Sequence, residues 1–418
     1  MFNKFESDHW LSKQEILGKG IREEDVEAFR IRYYKKQFGV ESWYEQLREY
    51  TFETQFVELT FEEAVALRDH IVDKRKSERA KIDCPPANIV SVLSKKIDAA
   101  MVAATPTGVS GNGFFIKLDT RSPKDCPLYG YDDPGWQQFM ATEFKNCPPD
   151  GMEIAQLAAT NPAAAADMLD NQMAVSFTIA QNKALKVNSG DEALKLLLGS
   201  FRIHEDLVGV TSYGPEHFSS GLAIRSWDPW VCEHPEAEFR GFVYEGKLNA
   251  LTQYFTNCYF PSLPAKKASI TSRICSFFEE KVLPRIKATH RSFVIDFLVK
   301  ADTIMVVELN PFYKGAGAGC FSWKEHRELF MNGPIELRVV EGIPSNCRDM
   351  ISPPWLRFIE SIKETEAVQS KPEKGTTDNS SDSKDRATCK SRTFCCSELD
   401  SKSARSRRGG NFDQCCCM

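Results

Sequence analysis

Two neighbouring segments, Phe293-Val-Ile-Asp-Phe-Leu-Val299 and Met305-Val-Val-Glu-Leu-Asn-Pro-Phe312, decide how this chain is expected to fold. Both are rich in β-branched and aromatic residues, and only Lys300-Ala-Asp-Thr-Ile304 separates them, so they predict a β-hairpin. Side chains alternate along a strand, which places Asp296 on the face opposite its aromatic neighbours. A three-residue loop at Ala301–Thr303 would set Asp296 directly opposite an acid of the second strand.

That acid is Glu308, and Asn310 follows it on the same face. Two carboxylates placed opposite each other on a sheet repel, and burying them unpaired is costly. A divalent cation removes this conflict, and the oxygens of Asp, Glu and Asn are ligands that Mg²⁺ prefers. The alternative is a solvent-facing hairpin whose charges bind nothing. Because the acids Asp296 and Glu308 interrupt otherwise apolar strands, the pattern favours a metal site formed by Asp296, Glu308 and Asn310.

Composition narrows the class of protein. A length of 418 residues allows two or three domains, and a hydrophobic content of 42% with 27% charged residues is ordinary for a globular protein. A net charge of −5 gives no sign of direct nucleic-acid binding. The sequence has neither an apolar run of the roughly 18 residues that a membrane span needs nor an N-terminal signal peptide. These features predict a cytoplasmic protein.

The 14 cysteines are arranged in two ways. Up to Cys347 they are scattered singly without zinc-like spacing, which indicates reduced and mostly buried thiols. The chain ends in Cys415-Cys-Cys-Met418, which matches a prenylation signal with Cys415 as the modified residue. Upstream lie several basic residues and the pair Cys395-Cys396, which would supply a second, acylated anchor. The alternative is an unmodified thiol cluster, but the combination favours a lipid anchor that associates the chain with a membrane.

Three zones follow from the patterning. Residues 1–105 are predicted to be mostly helical, and residues 106–345 to form the mixed core of helices and strands. Residues 346–418 are predicted to be a linker and a disordered tail, because apolar residues become scarce beyond about Lys363. The predicted strands, besides the hairpin above, are Phe114–Leu118, Leu222–Trp227, Glu238–Tyr244 and Leu248–Tyr254, and a helix is predicted at Ser272–Val282.

Basic residues upstream of the hairpin suit a phosphate-bearing ligand. Lys117 leaves an apolar strand, and Arg121 and Lys124 in the following loop add positive charge. Arg240 lies in a predicted hairpin strand, where it could clamp phosphates bidentately or instead form a surface ion pair with Glu238. The segment from Leu222 to Trp227 has the pattern of a strand running into a hinge whose backbone can read an adenine edge.

Several short motifs occur together in a recognisable order. They are Ser122-Pro-Lys-Asp125 after the strand lysine, Glu238-Phe-Arg240, Phe293-Val-Ile-Asp296, Glu308-Leu-Asn-Pro-Phe312 and Phe321-Ser-Trp323. Over residues 50–345 this order resembles the cell division cycle protein 123 family. The resemblance implies an α+β, ATP-grasp-like fold of two lobes, with a helical N-terminal region and a disordered C-terminal tail added here.

The resemblance also implies an ATP and Mg²⁺ site between the lobes. Carried over, the phosphate contact is Lys117 and the magnesium ligands are Asp296, Glu308 and Asn310. By the same resemblance Ser122, Asp125, Arg225 and Arg240 would lie at or beside the nucleotide. Arg121, from the charge of its loop, and Trp227, from the strand that runs into a hinge, complete the predicted nucleotide-binding residues. The chain departs from the family at Glu308, where aspartate is usual, at Asp119-Thr120-Arg121, and at Tyr254, where arginine is common.

Three functions remain open at this point. The resemblance implies an assembly chaperone for eukaryotic translation initiation factor 2, with that factor's subunits as the protein client. The fold also serves ligases that activate a carboxylate as an acyl phosphate. The third hypothesis is a membrane-tethered ATP-binding scaffold. The intact set of Lys117, Asp296, Glu308 and Asn310 argues against a scaffold that has lost its chemistry. A ligase would need a second pocket with a substrate anchor, and the only candidate, Gly315-Ala-Gly-Ala-Gly319, is equally typical of a flexible loop, so the chaperone is favoured.

Overall fold

A computed structural model describes residues 11–70, 87–105, 112–130, 133–146, 151–345 and 347–369. The helices up to the middle of the chain are α1 (Lys13–Gly18), α2 (Val26–Lys36), α3 (Val40–Leu47), α4 (Phe61–His70), α5 (Ala87–Ala104), α6 (Cys126–Tyr129), α7 (Pro134–Asn146), α8 (Gly151–Thr160) and α9 (Pro162–Lys183). The later helices are α10 (Gly190–Leu198), α11 (Phe201–Thr211), α12 (Pro229–Glu233), α13 (Leu263–Phe277), α14 (Leu283–Ile286), α15 (Arg327–Asn332) and α16 (Pro353–Gln369).

The strands form two separate sheets. They are β1 (Thr54–Glu58), β2 (Phe114–Leu118), β3 (Lys186–Val187), β4 (Gly221–Ser226), β5 (Glu238–Tyr244), β6 (Lys247–Gln253), β7 (Phe293–Val299), β8 (Ile304–Pro311) and β9 (Glu336–Arg338). The first sheet is antiparallel in the order β1-β4-β2-β3. The second has the order β8-β7-β5-β6-β9, and only β9 runs parallel to its neighbour.

The β7–β8 hairpin forms with the predicted pairing of Asp296 with Glu308 but reaches it by a different route. Four residues connect the strands instead of three, and near the turn Val299 pairs with Ile304. A β-bulge between Asp296 and Phe297 then shifts the register by one residue, which brings the two acids opposite each other. The expected three-residue loop is therefore wrong, and the bulge compensates for it.

Each sheet supports its own core. The first sheet packs with α4, α5, α10 and α11 around buried side chains such as Ile116, Leu118 and Ile224. On the second sheet the aromatic face predicted for β7 is buried against α3 and α13, with Phe293 and Phe297 in that core. Residues of the opposite face, Leu298 among them, pack into the core of the first sheet. This two-lobed α+β architecture with N-terminal helices confirms the expected fold class, and it directs the Asp296 side of the hairpin towards the first lobe.

The predicted strands are found with small shifts at their ends, whereas the predicted helix is part of a longer one. The turn at Glu245-Gly246, which joins β5 to β6, has a positive φ at both residues, 49° and 78°, as expected for a tight hairpin. The helix expected at Ser272–Val282 begins earlier, at Leu263, and continues as a π-helix over Phe278–Val282.

The three zones predicted from the sequence do not coincide with the packing units of the structure. β1 and α5 precede residue 105 yet belong to the core of the first lobe, so the N-terminal zone and the mixed core share one packing unit. Within the zone predicted as linker and tail, α16 packs on α7 and buries Trp355 completely. Residues 370–418, which carry the predicted disorder and the lipidation candidates Cys395, Cys396 and Cys415, lie outside the described residues.

Two further expectations can be compared with the described chain. The six cysteines in the described ranges are free thiols, four of them buried, as predicted for scattered reduced cysteines. No helix in these ranges is long and apolar enough to cross a membrane.

Candidate functional site

The site is centred on the acids of the β7–β8 hairpin. Asp296 is fully buried and Glu308 is 8% exposed, so neither is a solvent-facing charge. The side-chain amide of Asn310 donates to Glu308 Oε1 at 3.0 Å and lies 3.4 Å from Asp296 Oδ2. The structure therefore brings together the three predicted magnesium ligands, Asp296, Glu308 and Asn310.

Two basic side chains neutralise these acids. Arg240 donates from Nε and Nη2 to the two oxygens of Asp296, both at 2.8 Å, and Lys117 donates to Glu308 Oε2 at 2.8 Å. The expectation that the two acids would be unpaired without a metal is therefore wrong, because Arg240 and Lys117 already oppose their charges. Arg240 also does not form the surface ion pair with Glu238 that was considered, since both residues are buried and Arg240 binds Asp296.

The donor set is still suited to Mg²⁺. Asp296, Glu308 and Asn310 converge from one hairpin, and rotating the Asn310 amide by half a turn would direct its oxygen, instead of its nitrogen, at the carboxylates. Burial raises the pKa of Asp296 even though Arg240 opposes the shift, so an additional cation would favour its charged form. Within the described ranges no cluster of three or more His, Cys, Asp or Glu side chains could hold a metal, so any ion here needs Asn310 and ligand oxygens as well.

A pocket lies beside Glu308, Asn310 and Arg240, and its lining is strongly basic. Five basic side chains and a single carboxylate, that of Glu308, face it. The basic residues are Lys35, Arg121, Lys124, Arg202 and Arg240, and the other lining residues include Ser122, Tyr254, Asn310, Tyr313, Gly315 and Gly317. An excess of positive charge in a concave site attracts polyanions. Of the predicted nucleotide-binding residues, Arg121, Ser122 and Arg240 line this pocket.

The glycine-rich segment after β8 forms one wall. Gly317 accepts a hydrogen bond from Arg240 Nη1 at 3.0 Å through its carbonyl group, so this segment orients Arg240. Gly319 adopts a positive φ of 61°, and a Cβ there would come within 2.3 Å of the Thr252 side chain. Tyr254, which stands where the family often has arginine, lies under the Arg240 guanidinium at 4.9 Å. The tyrosine thus supports an arginine that the site already contains.

Lys117, the predicted phosphate contact, does not line the pocket and pairs with Glu308 instead. Three more of the predicted nucleotide-binding residues do not reach the pocket. Arg225 is 1% exposed, donates to Val307 O and Thr51 Oγ1, and lies over the Phe52 ring. The backbone N–H of Trp227, a predicted adenine reader, donates to Gly113 O at 3.0 Å. Asp125 accepts hydrogen bonds from Ser200 and from the backbone of Arg202, which fixes the start of α11. The structure places all three in supporting roles.

Sequence reasoning missed Lys35 and Arg202, which approach from α2 and α11. Nothing in the sequence near either residue marks it as part of a site. It also missed the state of Glu238, whose Oε1 has no hydrogen-bond partner in the described part of the chain. Burial first, and then the charge of Asp296, raise the pKa of Glu238 well above its usual value. Burial therefore favours the protonated form of Glu238 beneath the site.

Comparison with known proteins identifies the family. The sequence profile of the D123 family matches residues 176–385, which is half of the chain. The chain belongs to the D123 family. The resemblance to the cell division cycle protein 123 family inferred from the motifs is thereby confirmed.

The relatives match over part of their length. The translation initiation factor eIF2 assembly protein of Candida albicans is 25% identical over 174 residues, which are 39% of this chain and 49% of that protein. The protein of the same name from Dictyostelium discoideum is 30% identical over 147 residues, 34% of this chain and 37% of that protein. Cell division cycle protein 123 of Candida glabrata is 28% identical over 155 residues, 35% of this chain and 42% of that protein. The chain thus spans half or less of the length of these curated relatives.

A solved structure is also similar. Cdc123 from Schizosaccharomyces pombe aligns with 73% of this chain and 96% of that chain, at 18% sequence identity and a TM-score of 0.47.

Proposed function

We propose that this chain binds ATP with Mg²⁺ and acts as an assembly chaperone for a protein client, with subunits of translation initiation factor 2 as the first candidate. The observation that carries the proposal is the pocket beside the hairpin, where five basic side chains share the lining with Glu308 and Asn310, and Asp296 lies buried next to Asn310. A triphosphate matches the basic lining, and Mg²⁺ matches the oxygen donors.

Different residues would bind the metal and the phosphates. Asp296, Glu308 and Asn310 would hold Mg²⁺, which when bound supplies charge neutralisation between the acids and the phosphates. Arg240 is held in place by Asp296, Gly317 and Tyr254, so its guanidinium is oriented before any ligand arrives. Lys117 donates a hydrogen bond to Glu308 Oε2 at 2.8 Å, so a buried cation lies beside this acid.

The client assignment is supported by family membership and by the names of relatives, several of which are called eIF2 assembly proteins. It is tested by capture from native cytosol on the immobilised full chain, with Mg·ATP and without nucleotide. Selective recovery of the initiation-factor subunits with Mg·ATP is the expected result. Equal recovery with a chain carrying Asp296→Asn would separate client binding from the nucleotide site.

Nucleotide binding itself is tested by calorimetry of the full chain with ATP. We expect binding in the presence of Mg²⁺ that weakens by about tenfold or more when the metal is chelated, which corresponds to about 1.4 kcal/mol. Equal affinity with and without Mg²⁺ would refute the metal assignment, and absence of binding would refute the nucleotide assignment.

An ATP-grasp ligase is the second candidate, and one observation favours it. A cavity of about 280 Å³ lies between α2 and α11 and shares Lys35 and Thr120 with the basic pocket, as a site for a second substrate would. The two functions are distinguished by ATP turnover with a pool of small carboxylates and amines. The chaperone predicts very slow turnover throughout, whereas fast ADP release triggered by one metabolite would favour the ligase.

The location of the protein rests on sequence alone. We propose that it is cytosolic and that a lipid on Cys415, helped by acylation of Cys395 and Cys396, associates it with a membrane. These cysteines lie outside the described residues, and the proposal is tested separately from nucleotide binding.

A further inference from the structure

Helix α2 carries a lysine into the nucleotide pocket. Lys35 is the penultimate residue of α2, and it lines the pocket together with Glu308 and Asn310 of the hairpin. The C-terminal end of α2 is anchored to the body of the protein on two sides. Lys36 forms an ion pair with Asp119, and the His290 ring lies 2.8 Å from Gln37 O. α2 also lies outside residues 176–385, which the D123 profile matches.

Lys35 has no directly bonded acidic partner in the described part of the chain. Its ammonium group makes no hydrogen bond or ion pair with any residue in the described ranges, although its side chain is half-buried. Burial and then the neighbouring Arg121 lower the pKa of Lys35, and Arg202 adds to this effect, while Asp206 and Glu205 oppose it. Asp206 is already engaged by Thr120 and Arg121. A cation in this position is stabilised when an anion binds beside it.

A second cation faces the same space from another helix. Arg202 is in the first turn of α11, where its backbone N–H donates to Asp125 Oδ2 at 3.1 Å. Its Nε has no hydrogen-bond partner in the described part of the chain. Arg121 completes the group but is paired with Asp206, so Lys35 and Arg202 are the members whose charge is left for a ligand.

We propose that Lys35 and Arg202 form a subsite for the terminal phosphate of a nucleoside triphosphate, so that this chain distinguishes ATP from ADP through α2. The inference rests on the proposed function, because it assumes nucleotide bound at the hairpin. Asp296, Glu308 and Asn310 would hold a metal ion, which would offset the negative charge of the outer phosphates. The terminal phosphate would then lie in the pocket that Glu308 and Lys35 both line. An ion pair there would also fasten α2 to the nucleotide.

The experiment compares affinities for Mg·ATP and Mg·ADP by calorimetry in the wild type and in Lys35→Met. Methionine keeps most of the aliphatic stem that packs in the half-buried position and removes only the charge. We expect Lys35→Met to bind Mg·ATP about tenfold more weakly and Mg·ADP equally well. Arg202→Met should behave in the same way, and Lys35→Arg should restore most of the preference for ATP. Lys19→Met is the matched control, because Lys19 is exposed at the end of α1 and does not line the pocket.

The outcomes separate this subsite from the proposed function. If the wild type binds Mg·ATP but Lys35→Met weakens Mg·ATP and Mg·ADP by the same factor, or weakens neither, the terminal-phosphate subsite is refuted and the nucleotide site stands. If the wild type binds neither nucleotide, both proposals are refuted together. Thermal melting without nucleotide provides the structural control. Lys35 has no hydrogen-bond or ion-pair partner among the described residues, so Lys35→Met should melt at the same or a higher temperature than the wild type.

Discussion

Replacing Asp296 with asparagine should affect stability and metal-dependent binding in different ways. Asp296 is fully buried and accepts two hydrogen bonds from Arg240 at 2.8 Å. Removing its charge leaves a buried guanidinium without its anion, and breaking such a pair costs about 3–5 kcal/mol. Asparagine keeps the shape and one acceptor oxygen, and burial already disfavours the Asp296 carboxylate, as its raised pKa shows. We therefore expect a loss near the lower end, about 3 kcal/mol in the free energy of unfolding.

A loss of this size leaves most domains folded, since their stability is typically about 5–15 kcal/mol. Binding can then be measured on folded Asp296→Asn. Affinity for Mg·ATP should fall about tenfold or more, whereas affinity for ATP with the metal chelated should not fall, because Arg240 is released to bind phosphate. Urea denaturation and calorimetry measure the two effects. Asp302→Asn is the matched control, because Asp302 is exposed in the turn of the same hairpin.

Two results would refute this reasoning. An equal loss of ATP affinity with and without Mg²⁺ would show that Asp296 acts through Arg240 and the fold instead of through a metal. Unchanged stability of Asp296→Asn would show that the buried pair with Arg240 contributes nothing net to folding.

Three other outcomes are expected. Glu238→Gln should stabilise the protein at neutral pH. The pKa of Glu238 is raised by folding, so the stability that its protonated form contributes is complete below the unfolded pKa and is lost as pH rises through the folded one. A melting temperature that depends on pH as strongly in Glu238→Gln as in the wild type would contradict this. Arg225→Met should lower the free energy of unfolding by about 2 kcal/mol, because it leaves the Val307 carbonyl without its donor, and should leave Mg·ATP affinity unchanged; a selective loss of affinity would place Arg225 in the site. Cys415→Ser should move the protein from membrane to cytosol on cell fractionation without changing Mg·ATP affinity. Equal partitioning, with no lipid on the terminal peptide by mass spectrometry, would end the lipidation hypothesis.

The β7–β8 hairpin shows how far local pattern reaches. Alternation placed Asp296, Glu308 and Asn310 on one face, and the register confirms the pairing of the two acids. The connection was expected to be one residue shorter, and only the bulge beside Asp296 reconciles the observed turn with that pairing. A bulge depends on how β7 and β8 twist and pack against the rest of the sheet, so the alternation of side chains does not reveal it.

The motif order predicted more residues at the basic pocket than the structure places there. Three of them bind other parts of the protein instead. Arg225 donates to the Val307 carbonyl and the Trp227 backbone to the Gly113 carbonyl. Asp125 accepts a hydrogen bond at the start of α11. Whether a polar group faces a ligand or a neighbouring element depends on the packing of elements that are remote in sequence. Spacing along one strand carries no information about that choice.

The sequence by itself determined the strands, their polar faces, the three oxygen donors and the family, because alternation and motif order are properties of neighbouring residues. Only the tertiary structure decided which cations oppose the acids. Lys117 meets Glu308 across 191 residues of chain, and Arg240 meets Asp296 across 56. It also decided that Lys35 and Arg202 face the pocket and that burial favours the protonated form of Glu238. These outcomes depend on burial and on the distance between charges, and both are set when the two lobes and α2 pack together.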